Sequence, residues 1–256
     1  MLFFALNSII NHVIIRYICN MKYCLFSILL CICLQQGFAQ NDDKTLIDTA
    51  SVDDKYREDQ FYASITYNLL GQKPDGVSQN GFSSGFHFGF IRDMPINERR
   101  NLALGLGIGV STNSYNQTLL ITKNNTNNFE YTVLDDNETS FSKNKFTTYV
   151  LELPFEFRWR TSTATEYNFW RIYTGFKLGY VVLNTSKFQG DLGHFKYSNI
   201  GDFNKLQYGF TFSAGYSNIS FHVYYGLNNI FKDSVKVNGQ DVGMQSIKVG
   251  LMFYIL

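Results

Sequence analysis

Ser220 and His222 stand two residues apart in the segment ISFHVYYG. In an extended strand that spacing puts both side chains on one face, and a serine beside a histidine is the minimal nucleophile and base. Such a pair works only when the base reaches the hydroxyl and a third group orients it. No acid stands at a telling position beside these two. The expected role of His222 is therefore that of a polar interior side chain, and His87 reads the same way. His194 falls in a polar connection, and one histidine does not make a metal site. The sequence carries no phosphate loop, zinc spacing or dinucleotide fingerprint. The four cysteines, Cys19, Cys24, Cys31 and Cys33, all lie in the first 39 residues. We therefore expect no catalytic, cofactor-binding or metal-binding residue, and no enzyme.

A second set of residues could do electrostatic work. Glu152, Glu156, Arg158 and Arg160 interrupt the apolar run YVLELPFEFRWR, and Arg171, Lys177, Lys205 and Lys248 interrupt others. If these eight share an enclosed interior, opposite charges must pair, because burying one alone is costly. Two readings follow: a charged conduit for ions, or a salt-bridged plug. The choice depends on the elements that carry the charges.

Those elements show a period of two from residue 60 onward. Phe61, Ala63, Ile65, Tyr67 and Leu69 oppose Tyr62, Ser64, Thr66 and Asn68. Phe82, Phe86, Phe88 and Phe90 oppose Ser83, Gly85, His87 and Gly89. Leu102, Leu104, Leu106, Ile108 and Val110 alternate with Ala103 and three glycines. Similar runs start near Tyr149, Trp170, Leu206, Ile219 and Ile247, giving about eight strands. Large apolar residues on every strand would overfill a small interior, whereas Gly, Ala and Ser suit one. The pattern therefore predicts an all-β, closed, antiparallel up-and-down transmembrane β-barrel with its apolar face toward lipid. With eight strands the interior is side-chain-filled, which favours the plug.

Connections alternate as such a barrel requires. Arg92–Arg100, Thr161–Asn168 and Tyr216–Asn218 are short, while Gly71–Asn80, Asn116–Lys145, Thr185–Phe203 and Phe231–Met244 are longer and more polar. The Asn116–Lys145 segment is expected to extend the barrel strands as a hairpin. Pro154 sits where a ladder N–H is needed, so a bulge there is expected, with a possible reversal of facing.

Residues 1–39 read as a signal peptide. Lys22 supplies the charge, Tyr23 to Leu34 the apolar stretch, and Gly37-Phe38-Ala39 the small residues before a cut. Met21 opens a full signal, so residues 1–20 read as an over-extended start, with an uncleaved anchor as the rival. Removing 1–39 takes away Arg16 and Lys22 and no acid, turning a net charge of +1 into −1. That balance does not advertise nucleic-acid binding. Residues 40–59 read as a flexible periplasmic lead-in, and 60–256 as the barrel domain. Asp48-Thr49-Ala50 resembles a short O-glycosylation motif.

The terminal SIKVGLMFYIL places Lys248, Gly250, Phe253 and Ile255 at the spacing of a barrel-assembly signal. Together with YVLELPFEFRWR, LQYGFTFSAGY and YYGLNNIF, it makes the chain similar to the PorT-like outer-membrane β-barrel family of the Bacteroidota over roughly residues 60–256. The resemblance implies a Gram-negative outer-membrane protein, and an even strand count is expected to return both termini to the periplasm. Some of its members serve type IX secretion and gliding. Expected partners are outer-membrane lipid, the barrel-assembly machinery, and envelope or secretion-apparatus proteins. The function expected is a non-enzymatic structural or interaction protein, with a small porin or solute channel as the alternative and an outer-membrane hydrolase as the weakest reading.

Overall fold

The computed structural model describes residues 59–135, 138–161 and 169–255. The expected signal, most of the lead-in, Asp48-Thr49-Ala50 and Leu256 lie outside the described residues. Thirteen strands are described: β1 Gln60–Gly71, β2 Ser84–Pro95, β3 Leu102–Asn116, β4 Leu119–Lys123, β5 Phe129–Val133, β6 Phe141–Arg160, β7 Trp170–Gly190, β8 Gly193–Ser198, β9 Leu206–Tyr216, β10 Ile219–Asn229, β11 Lys236–Val237, β12 Gln240–Asp241 and β13 Gln245–Ile255. Eight of these form one closed antiparallel wall in the order β1-β2-β3-β6-β7-β9-β10-β13. The seam is β1 against β13, from Phe61↔Ile255 to Gly71↔Gln245. Every other wall contact joins wall strands that follow one another along the chain, which makes the barrel up-and-down.

The facing follows the period of two. Leu106, Ile108 and Val110 are 54–56% exposed, whereas inward Tyr62 is 1% exposed. The outward face of β6 runs from Tyr149 to Trp159. Ten residue steps at about 3.4 Å, tilted by about 40°, give an apolar belt about 25 Å tall. Exposed Trp159, Trp170 and Tyr216 lie at the turn end of the belt; Tyr67, Tyr149, Tyr180 and Tyr225 lie at the hairpin end. These are the two aromatic girdles of a membrane barrel.

Inward glycines make room for inward rings. A Cβ added to Gly89 would lie 2.6 Å from the Tyr62 ring, and one added to Gly109 would collide with the Tyr62 hydroxyl. Gly209 makes the same allowance for Tyr224, and Gly105 for the Arg158 guanidinium. The glycine-rich face of β3 is therefore a set of seats for larger side chains from other strands.

Pro154 does not bulge the wall. The β3–β6 pairing lapses between Leu106↔Phe155 and Gly109↔Glu152 but resumes in the same register, and Pro154 still opposes Lys177 on β7. Its ring points inward, where a Cβ on Gly107 would lie 3.1 Å from it. The missing N–H costs one ladder bond and leaves the facing intact. The irregularity lies instead where Tyr149↔Leu183 gives way to Val150↔Val181. One extra residue of β7 is accommodated there, and Val182 and Leu183 both face outward.

Beyond that bulge β6 and β7 continue, and β8 pairs with β7. The expected loop Thr185–Phe203 is thus largely strand, and His194 lies on β8. Within Asn116–Lys145, β4 and β5 form a separate two-stranded sheet. At this end the connections close over the lumen. Phe146 from the wall meets Phe203 and Phe231 from two connections, each at 5.5 Å between ring centres, and Tyr115 stacks on it at 4.9 Å. Leu70, Leu119 and Met244 are buried in the same cluster. Tyr131 on β5 donates its hydroxyl to Asp202 Oδ2 at 2.8 Å, tying the hairpin to the cap.

Replacing Gly109 with Leu is expected to displace Tyr62 and lower stability by about 1–3 kcal/mol, read as earlier loss of heat-modifiable gel mobility; adding Tyr62→Ala should relieve most of the loss. Burial, then the hydrogen bond and charge of Asp202, raise the Tyr131 phenol above its ordinary range. Its contribution is complete below the unfolded value of about 10 and fades as pH rises beyond it, because the unfolded phenol ionises first. The thermal midpoint should therefore fall more steeply between about pH 10 and 11 in the wild type than in Tyr131→Phe.

Candidate functional site

Strand alternation delivers charged side chains to the lumen in two layers separated by an apolar one. Glu152 on β6 is the hub of the layer nearer the cap. Its Oε1 accepts from Ser111 Oγ at 2.8 Å and from His87 Nδ1 at 3.0 Å, and its Oε2 accepts from Lys177 Nζ at 3.1 Å. The carboxylate thereby fixes the His87 proton on Nδ1. Lys248 sits beside this hub with its ammonium 4.8 Å from the centre of the Tyr224 ring. Tyr62, Ile91, Tyr173, Met252 and Tyr254 form the apolar layer below.

The layer at the turn end is dominated by arginine. Asp93 receives both Nη atoms of Arg160, at 2.9 and 2.8 Å, and Arg158 Nη1 at 3.2 Å. Arg158 Nε donates to Glu156 Oε2 at 3.0 Å, and Arg160 Nε donates to the Arg100 carbonyl at 3.0 Å. The Arg158 guanidinium lies 4.7 Å from the Tyr173 ring. Arg171 makes no ion pair among the described residues. It stacks on Phe169 at 4.6 Å and Tyr254 at 5.1 Å, so ring faces rather than a carboxylate stabilise its charge.

Seven of the eight expected lumen charges are buried in the barrel: Glu152, Glu156, Arg158, Arg160, Arg171, Lys177 and Lys248. Lys205 is the exception. It precedes β9, and it and Leu206 are both exposed, because alternation starts only with the strand. Asp93 was not anticipated, since Arg92–Arg100 read as a connection. The wall in fact continues to Pro95, and the signal lay in the spacing, since Asp93 stands an even number of residues from inward His87 and Gly89. Without Asp93 the arginine layer has only Glu156 as a buried anion among the described residues.

The serine beside His222 is a different one from that suggested by sequence spacing. Ser213 Oγ on β9 lies 2.7 Å from His222 Nδ1, whereas Ser220 Oγ has no partner among the described residues. His222 Nε2 likewise has none, so no third group orients the ring. Both Ser213 and His222 are buried. Among the described residues no group of three His, Cys, Asp or Glu could hold a metal ion. The assembly-signal residues divide by face on β13, with Lys248 and Gly250 inward and Phe253 and Ile255 outward, on the strand that closes the wall.

Glu152→Gln removes the one anion among the described residues that compensates Lys177 and fixes His87. It is expected to cost about 3–5 kcal/mol, measured by urea unfolding in detergent micelles. Glu152→Gln combined with Lys177→Met should recover a large part of that loss.

Among solved structures, the chain is similar to the attachment invasion locus protein Ail of Yersinia pestis, with 14% identity, 77% of this chain and 99% of that chain covered, and a TM-score of 0.29. It is also similar to a mutant Rh. blastica porin, with 7% identity, 78% and 100% coverage, and a TM-score of 0.20. No curated protein matches it in sequence. The model of the outer membrane protein beta-barrel domain family matches residues 38–232, which is most of the chain. That match agrees with the closed eight-stranded wall, the lipid-sized belt and the charge-bearing lumen, and on it the chain belongs to the outer membrane protein beta-barrel domain family.

Proposed function

We propose that this protein is a non-enzymatic envelope anchor and interaction protein: a barrel plugged by its own side chains that holds a set of hairpins at the cell surface. The observation that carries this reading is the double closure of the lumen. Phe146, Phe203 and Phe231 fill the hairpin end, while the Asp93–Arg158–Arg160 network and the aromatic layer fill the interior toward the turn end. Free diffusion needs a continuous water path, and an eight-stranded wall leaves room only for side chains.

In this reading the short turns and both chain ends face the periplasm, and the β4–β5, β7–β8 and β11–β12 hairpins face outward. Long external loops and short periplasmic turns are the usual arrangement of such barrels. Those hairpins would meet envelope partners, and an accessory role in type IX secretion is the finer form of the proposal. Lys248, Gly250, Phe253 and Ile255 would present the last wall strand to the assembly machinery.

Pure refolded protein in a planar bilayer is expected to show no stable unitary conductance. Reproducible unitary steps would favour the small-channel reading and overturn this one. Co-purification from native membranes with crosslinking through the hairpins is expected to recover envelope proteins. Type IX apparatus subunits among them would identify the secretion role.

A further inference from the structure

Above the hairpin end of the lipid belt, β6, β7 and β8 form a three-stranded sheet whose outward face carries a row of lysines. Lys145 directly opposes Lys187, and Lys187 directly opposes Lys196. Directly opposed residues of antiparallel strands share a face, so the three lie side by side at the inter-strand spacing of about 4.8 Å. Lys143 stands on the same face one pleat further, in a row with Gln189 and His194. Among the described residues none of these lysines forms an ion pair. The acid in the adjoining β7–β8 connection, Asp191, sits at the turn beyond the sheet. Like charges directly opposite one another destabilise a sheet. Solvent and salt screen such a row only in part, and an anion from outside the protein would relieve it.

Position identifies the compensating group. The lysine face continues the lipid-facing side of the wall: Lys145, Thr147 and Tyr149 are successive residues of one face of β6, and Tyr149 belongs to the aromatic girdle. Four residue steps at about 3.4 Å and a tilt of about 40° raise Lys145 roughly 10 Å above Tyr149. This is headgroup depth. Beside the β6 end of the row and nearer the membrane, where β2, β3, β6 and β7 adjoin, lies an outward apolar groove lined by Phe86, Phe88, Val110, Thr112, Tyr149 and Val182. Cationic row and apolar groove together match one amphipathic molecule, with anionic groups at its head and an acyl chain below.

We infer that the outer face of β6–β7–β8 and the groove adjoining it on the β2–β3–β6 side bind a phosphate-bearing lipid of the surrounding leaflet, with Lys145, Lys187 and Lys196 on the phosphates and the groove on an acyl chain. The inference rests on the barrel's insertion with these hairpins at the membrane surface. A soluble anion would use the lysines but gain nothing from the groove.

The test compares wild type with the Lys145→Gln/Lys187→Gln/Lys196→Gln variant, both refolded in maltoside detergent and titrated with bisphosphorylated lipid A, its phosphate-free form, and inorganic phosphate. Wild type is expected to bind the phosphorylated lipid more tightly than the phosphate-free one, and the variant to lose on the order of a hundredfold in affinity. Inorganic phosphate in excess should not compete. Equal binding by a folded variant, equal binding of phosphate-free lipid, or full competition by inorganic phosphate would each overturn the proposal. In detergent without lipid the variant should melt no lower than wild type, since repulsion has been removed; a lower midpoint would show that the lysines are paired within the protein. Lys196→Gln alone, on the exposed edge strand, should weaken binding severalfold and serves if the triple variant does not fold. Heat-modifiable mobility separates the two levels: its absence in wild type would strike at the barrel itself, whereas unchanged lipid binding in a heat-modifiable variant strikes only at this site.

Discussion

Hydrocarbon offers no partner to a peptide N–H or C=O, and the rest of the structure depends on that constraint. A wall of strands can cross such a medium only if every edge is paired, so the first and last wall strands must meet. The β1–β13 seam meets this demand with an unbroken register from Phe61↔Ile255 to Gly71↔Gln245. Closure then fixes everything inside it. Eight strands enclose a narrow space, and side chains turned inward must share it; hence the glycines at 89, 105, 109 and 209 opposite rings and guanidinium groups.

The interior resolves the electrostatics by layering. Among the described residues the buried carboxylates are few: Asp93, Glu152 and Glu156 face five buried Lys and Arg. Two of the three serve more than one cation or donor, Asp93 between Arg158 and Arg160 and Glu152 between His87 and Lys177, while Glu156 pairs with Arg158 alone. The remaining positive charge rests on ring faces, with Arg171 on Phe169 and Tyr254 and Lys248 on Tyr224. The tyrosines that separate the layers are thus part of the electrostatics as well as the packing.

Most of this architecture was legible in the residues, because membrane strands repeat every second position and the two faces meet different solvents. Facing followed for every wall strand, and seven lumen charges followed from facing. Two of the charge assignments failed at strand ends. Lys205 was assigned to a strand that begins one residue later, and Asp93 was lost to a turn that begins later than its polar residues suggest. At Pro154 a rule about missing donors led to an expected bulge, but the wall tolerates one unmade bond when Gly107 gives the ring space. The Ser213–His222 contact could not be read from local spacing at all. Cross-strand pairing depends on the length of the β9–β10 turn, and Ser220, nearer in sequence, was the wrong partner.

The seam also bears on how the chain acquires its shape. Phe61 and Ile255 are neighbours in space yet lie at opposite extremes of the wall-forming sequence, so the pairing that removes the last free edges is also the most non-local one. Ring closure of this kind pays its loop entropy late, which makes assembly slow and its intermediates prone to edge-to-edge aggregation. It also makes assembly all-or-none: a chain truncated anywhere before β13 keeps two open edges and is barred from the bilayer by the same rule that stabilises the finished ring.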